Sequence, residues 1–316
     1  MAAYFASLNL LKLARNLPGG ISQGIIWGIM ALGIYITFRL LDVADLTVDG
    51  SFTTGGAVTV MLILGGWPAW AALLIAVLAG LLAGLVTGLL HTKLGIPAIL
   101  AGILTQFSLY SINLRIMGMA ANKAVSVDKY HRLLSSRHIP AAILTGALIA
   151  LALVSVFYWY FGTEQGSAIR ATGNNPAMSR ALGINIDTMK VLGLSLSNGI
   201  VALAGGLLSQ YQGFADINMG RGAIVIGLAA VIIGEVISRP LLGKYLNFYG
   251  TLSFTVIGGV IYYLVIVVVL WLRINSNDLK LFTAVVVALF LAVPYLRGQS
   301  KSSFARLKRK GGNEHA

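Results

Sequence analysis

The sequence predicts an all-α polytopic membrane protein with about eight to nine transmembrane helices, broken or re-entrant segments and an inverted repeat. Three observations carry that prediction. Hydrophobic residues make up 57% of the 316-residue chain and charged residues only 10%, against about 25% charged in soluble domains. Stretches without Asp, Glu, Lys or Arg recur at Gly50–Thr92, Ile139–Thr163, Val191–Ala215, Tyr245–Leu272 and Leu281–Leu296. A bilayer core of about 30 Å takes roughly 20 helical residues, so the first stretch holds two spans and each of the others one. Finally, runs such as VIVVVLWL at 265–272 lack the strict alternation that a membrane barrel needs.

Taken in order, residues 1–19 read as an interfacial N-terminal segment. Phe5, Leu8, Leu11, Leu13 and Leu17 recur at helical spacing around Lys12 and Arg15, without the uninterrupted apolar core of a cleavable signal. The transmembrane domain is expected over 20–296, with spans at 20–41, 52–65, 68–90, 95–115, 140–161, 190–210, 222–238, 248–271 and 280–296. Span 52–65 is short and ends in the turn signal Gly65-Gly66-Trp67-Pro68; a re-entrant 42–66 is the alternative. Residues 297–316 form a basic tail with Arg297, Lys301, Arg306, Lys308, Arg309 and Lys310. On a membrane protein such a block marks the cytoplasmic side rather than nucleic-acid binding. Counting crossings back from it places 162–189 inside, 116–139 outside and the N-terminus outside. Gly24 and Gly28, and Gly80, Gly84 and Gly88, bare one helix face each, favouring close packing inside one subunit over a dimer seam.

Few residues carry chemistry. With no cysteine, thiolate chemistry and disulfides are excluded. The four histidines have no metal-ligand spacing, and neither H-E-x-x-H nor a nucleophile elbow occurs. No catalytic residue, metal site or directly bound cofactor is therefore expected. Three of the ten acidic residues crowd at Asp42, Asp45 and Asp49. The stretch Ala44-Asp45-Leu46-Thr47-Val48-Asp49-Gly50 is echoed by Ala215-Asp216-Ile217-Asn218-Met219-Gly220. An odd number of expected crossings separates the two, so the copies face opposite sides, the trace of an inverted repeat around a central pathway. Asp45, Asp49, Ser51, Asp216 and Asn218 are the candidate pathway residues. Asp49 or Ser51 suits the cap of the helix that follows, and Gly50 the turn. Asp45 reads as a shared element of the helix break. Glu235, at the end of IVIGLAAVIIGE, is expected at the inner interface.

The inner loop is more specific. In EQGSAIRATGNNPAMSRALGINIDTMK (164–190), Asn175 suits an N-cap, Pro176 a first helical position and Gly183 a left-handed stop. This predicts a rigid two-turn knob with Arg170 and Arg180 on a basic face. The segment GSAIRATGNNPAMSRALGIN resembles the coupling helix of ABC-importer permeases of the branched-chain amino acid and ribose family. DLTVDGS resembles that family's DLSVGS element with an extra Asp at 49. LTVDGS, LGIPAILAGILT and YQGFADINMG occur together here at 46–51, 94–105 and 211–220, as in a subgroup linked to aromatic amino acids. Many family members carry an additional N-terminal span, which this sequence is expected to lack; such a chain implies an outside N-terminus.

The resemblance implies docking of partner ATPase subunits through Arg170, Gly173, Asn174, Asn175, Pro176, Ala177, Arg180, Gly183 and Ile184. It further implies an extracytoplasmic solute-binding protein, a permease homodimer in a bacterial cytoplasmic (inner) membrane, and an amino acid as the first substrate to test. The chain has no G-x-x-x-x-G-K-[ST] loop, so ATP would act through the partner chains. An ion-coupled secondary transporter, working alone through Asp45 or Asp216, is the other functional class.

Overall fold

Backbone in lipid must satisfy its own hydrogen bonds, and the long apolar runs do so as helices. The computed structural model describes residues 10–126, 130, 132–243 and 247–272, with 281, 284, 285, 288, 289 and 292. Helix α1 (Leu10–Tyr35) passes into a π-helical turn (Ile36–Leu40). There follow α2 (Thr47–Leu64), α3 (Ala69–Thr92), α4 (Ala98–Ile116), strand β1 (Asn122–Ala124) and α5 (Ile139–Tyr160). The loop at 162–189 holds α6 (Glu164–Asn174) and α7 (Pro176–Ala181). The chain continues through α8 (Ile186–Gln212), strand β2 (Phe214–Asp216), α9 (Ala223–Leu242) and α10 (Phe248–Trp271). Among the described residues, eight helices are long and apolar enough to cross a membrane. The chain is an all-α polytopic membrane protein.

Several expected boundaries shift. Residues 10–19 of the expected interfacial segment belong to one continuous helix with the first span, and Pro18 lies inside it. The short span expected at 52–65 begins at Thr47, so Asp49, Gly50 and Ser51 lie within its first turns. Residues 1–9, the tail 297–316 and most of the expected span 280–296 lie outside the described residues. A two-stranded antiparallel ladder, unanticipated from the sequence, pairs Asn122 with Asp216, Lys123 with Ala215 and Ala124 with Phe214. It ties the segment after α4 to the segment after α8.

Helix α8 is the axis of the bundle, buried along most of its length against α1, α2 and α3. The glycines of α3 explain how closely it is approached. A Cβ at Gly80 would collide with the Asn198 carbonyl, one at Gly84 with that of Leu194, and one at Gly88 with Val191. Gly24 and Gly28 are packed in the same way against Val260 and Val256 of α10. Both glycine stripes thus join helices within one subunit. Helix α1 runs antiparallel to α8: Gly19 lies at the level of Tyr211, Gly33 at Ser197 and Leu41 at Gly193. The start of α1 therefore lies at the end of the bundle opposite the α6–α7 loop. At the loop end, Arg39 of the π-helical turn forms an ion pair with Glu235 of α9.

Gly84→Leu should destabilise the protein by at least about 2 kcal/mol, because the α3–α8 contact has no room for a side chain. Leu78→Ala, on the exposed face of α3, should stay within about 0.5 kcal/mol of the parent. Thermal unfolding in detergent compares the two.

Candidate functional site

Both copies of the repeated sequence fold into the same local turn. The Thr47 N–H donates to Asp45 Oδ1 at 2.9 Å, and the Asn218 N–H donates to Asp216 Oδ1 at 2.8 Å. Each Asp thus accepts from the amide two residues on, which closes a turn directly before α2 in the first copy and between β2 and α9 in the second. Five span-length helices (α2, α3, α4, α5 and α8) separate the two turns, as an inverted repeat requires. Asp45 therefore takes the opening amide of α2, whose cap position, Leu46, makes no side-chain bond. Asp49 and Ser51 do not fill that role, and Gly50 is helical rather than a turn. Gly50 is small because Leu109 and Gln106 of α4 lie against it.

Asp45 is buried, and both of its carboxylate oxygens accept hydrogen bonds. Asn198 Nδ2 donates to Asp45 Oδ2 at 2.6 Å and also to the Leu194 carbonyl at 2.9 Å. Ser51 Oγ donates to Asn198 Oδ1 at 2.7 Å. Beside this cluster, Thr47, Thr87 and Thr105 form a hydroxyl chain with separations of 2.7 and 2.9 Å. The network links α2, α3, α4 and α8, and it sits near the middle of α8, since Asn198 is about 18 Å along the axis from Ile186. Asp45 and Ser51 are held in this network.

Asp49 acts across the repeat. Its Oδ2 accepts from the Gly222 N–H at 2.9 Å and its Oδ1 from the Ile224 N–H at 3.0 Å. It therefore caps α9 while standing in the first turn of its own helix, α2. The two helices start at this point and run apart: α2 toward the Gln210 end of α8, α9 toward the ion pair of Arg39 and Glu235. Each helix N-terminus carries about half a positive charge; the Asp49 carboxylate stands in the first turn of α2 and hydrogen-bonds the amides of α9. The position matching Asp49 in the second copy is Gly220, where a Cβ would collide with the Asp49 carbonyl oxygen. The two equivalent positions touch.

A cavity of about 280 Å³ opens beside this junction, lined by Asp49, Arg221, Gln106, Asn113, Phe107 and Tyr110 among others. Of the five candidate pathway residues, only Asp49 lines it. Asp216 and Asn218 lie at the β1–β2 ladder, where Asn122 Nδ2 also donates to Asp216 Oδ2 at 3.4 Å. Arg221 and Asn113 were not anticipated. Arg221 aligns with Gly50 one residue past the matched motif, and that offset was its only signal.

At the far end of the bundle the capped knob forms. Asn175 Oδ1 accepts from the Met178 N–H at 3.0 Å, Pro176 opens α7, and Gly183 takes φ +82°. The chain before it is a helix of its own, α6, so Arg170 and Arg180 do not share one basic face. The Arg170 guanidinium instead lies over the Phe248 ring, 5.5 Å from its centroid. Asn174, Asn175, Pro176, Ala177, Arg180 and Gly183 are exposed, while Gly173 and Ile184 are half-buried. A Cβ at Gly173 would collide with the Leu40 carbonyl, so α6 rests directly on the end of the π-helical turn. Met178 and Leu182 project from the knob, 60% and 67% exposed. Their spacing of four in an otherwise polar segment was the signal that could have found them.

Asp45→Ala should cost about 1–3 kcal/mol, because it strands the Asn198 amide and the Thr47 N–H. A double-mutant cycle with Asn198→Ala, read by thermal unfolding in detergent, should return a coupling of about 1 kcal/mol; strict additivity would mean the two do not act together.

Residues 16–294 match the family described as the branched-chain amino acid transport system permease component. A tyrosine transport system permease protein of Clostridioides difficile is 39% identical over 293 residues, covering 92% of this chain and 95% of that protein. An uncharacterised protein of Rickettsia prowazekii is 33% identical over 272 residues, covering 86% and 95%. An autoinducer 2 import system permease protein of Yersinia pseudotuberculosis is 28% identical over 212 residues, covering 66% and 58%. With the match spanning nearly the whole chain, this protein belongs to the branched-chain amino acid transport system permease family.

Proposed function

We propose that the chain is the membrane subunit of an ATP-binding-cassette importer in a bacterial cytoplasmic membrane, with its C-terminus on the cytoplasmic side. It works as a homodimer, receives a small solute from an extracytoplasmic binding protein, and is driven by separate ATPase subunits. An amino acid is the proposed cargo, a reading supported by the relative named for tyrosine transport. The observation that carries the proposal is the α6–α7 knob: rigidly capped, exposed, and tipped by Met178 and Leu182. Two large apolar side chains held out on a helix two turns long suit insertion into a cleft of a partner.

The knob has a mechanical continuation. Gly173 presses α6 on the Leu40 backbone, and the segment from Leu41 leads within four residues to Asp45 and the start of α2. ATP binding that draws the ATPases together would shift α7, and with it the packed arrangement at the α2–α9 junction. ATP then acts by favouring one of two packings rather than by contact with the cargo.

The decisive assay is uptake into proteoliposomes holding this chain with its ATPase and binding protein. ATP-dependent import that requires both partners is expected; uptake by this chain alone on an ion gradient would sink the importer reading. Leu182→Asp or Met178→Asp should weaken association with the ATPase by at least about tenfold. Replacing Arg180 or Gly183 should leave the chain folded yet uncouple ATP hydrolysis from uptake, and normal coupling in all four variants would remove the knob from the docking surface.

A further inference from the structure

The cavity beside the α2–α9 junction carries an inference that rests on the importer reading and goes into its chemistry. We infer that it is a transit site for a zwitterionic α-amino acid with an aromatic side chain. Its volume of about 280 Å³ suits a single molecule of that size. The charge pattern on its wall selects the class. Asp49 and Arg221 both line it, and among the described residues Arg221 forms no ion pair. Arg221 is exposed and Asp49 half-buried; a lone cation would meet the guanidinium, a lone anion would meet Asp49, and a neutral sugar would engage neither charge as an ionic partner. A zwitterion satisfies both: ammonium to Asp49, carboxylate to the planar guanidinium fork. Asp49 retains capacity for this, because a carboxylate offers about four acceptor sites and the α9 amides use two.

Asn113 points independently to a ligand. It is 1% exposed, yet its Oδ1 has no hydrogen-bond partner, while its Nδ2 makes only a long 3.4 Å contact to the Gly50 carbonyl. An orphaned buried acceptor costs about 1–3 kcal/mol, and a substrate ammonium would supply the missing donor. The aromatic preference comes from Phe107 and Tyr110, whose side chains line the cavity while remaining 69% and 45% exposed. Ser108 and Ser111 are exposed on the same helix.

The test measures binding to the detergent-purified full-length chain by thermal shift, with L-tyrosine, L-tryptophan and L-phenylalanine as probes. Tyramine, which lacks the carboxylate, and 3-(4-hydroxyphenyl)propanoate, which lacks the ammonium, are the comparison ligands. The wild type should bind at least one of the amino acids at least tenfold more tightly than either comparison ligand. Arg221→Gln should erase the preference over tyramine, and Asn113→Leu should weaken amino-acid binding about tenfold. No shift with any of the three amino acids, or an unchanged preference in Arg221→Gln, would overturn the site. Uptake by the complete importer separates the two levels. If the wild type and Arg221→Gln import an amino acid equally, the site fails and the importer reading stands. If the wild type with its partners imports no amino acid, the cargo assignment fails and takes the site with it.

Discussion

The architecture depends on one carboxylate that stands in the first turn of α2 and caps the N-terminus of α9. Asp49 stands in the first turn of α2 and accepts from the first amides of α9, at 2.9 and 3.0 Å. Helices that begin inside a bundle leave amides unpaired, and two such starts facing each other also bring two positive dipole ends together. In lipid neither cost is relieved by bulk water. Asp49 pairs the α9 amides and sets an anion between the two dipole ends, while the opening amide of α2 is paired by Asp45. The Asp45–Asn198–Ser51 network complements this by anchoring the same end of α2 to the middle of α8.

The α6–α7 loop and this central junction are mechanically close despite their distance in sequence. Gly173 seats α6 on Leu40, and Leu41 packs against Gly193 at the start of α8. Arg39, one residue before Leu40, is paired with Glu235 of α9. The short segment from the π-helical turn to Thr47 is thus held from three sides: by the loop, by α8 and by α9. A π-helical turn has looser hydrogen bonding than the α-helix around it and commonly marks a functional position. A displacement of the loop has few places to go except into that segment, and through it into the start of α2.

Much of this was legible in the sequence. Apolar run length located the spans, because lipid imposes a length that composition alone reveals. The Asn175-Pro176 start and Gly183 stop of α7 were readable for a local reason: each acts on its own backbone. The matched Asp45 and Asp216 turns were readable for the same reason. What escaped was long-range. Asp49 looks like a cap for the helix it begins, and only the fold brings Gly222 and Ile224 within reach, over 170 residues away. Asn113 hides in a run that reads as ordinary span, since burial and the lack of a partner are properties of packing. Helix α6 was missed because Gly166 and Gly173 argue against a helix; both are required by neighbouring backbone at Tyr160 and Leu40. The β1–β2 ladder is three residues on each side, too short for any periodicity to register.

The repeat explains why the motif carries two carboxylates in one copy and one in the other. Asp45 and Asp216 each close a turn within their own segment, a role that duplicates without conflict. Position 49 and its counterpart at 220 meet at the junction itself. Gly220 leaves room for the Asp49 carbonyl only because it has no side chain. A second Asp there would clash with that backbone and set two carboxylates against each other, while adding nothing the α9 amides still need. Close contact between equivalent positions therefore forces the two halves to differ, with charge on one and empty space on the other. The cavity inherits that asymmetry. Arg221 follows Gly220 where Gly50 follows Asp49, so the same junction presents a carboxylate from one half and a guanidinium from the other.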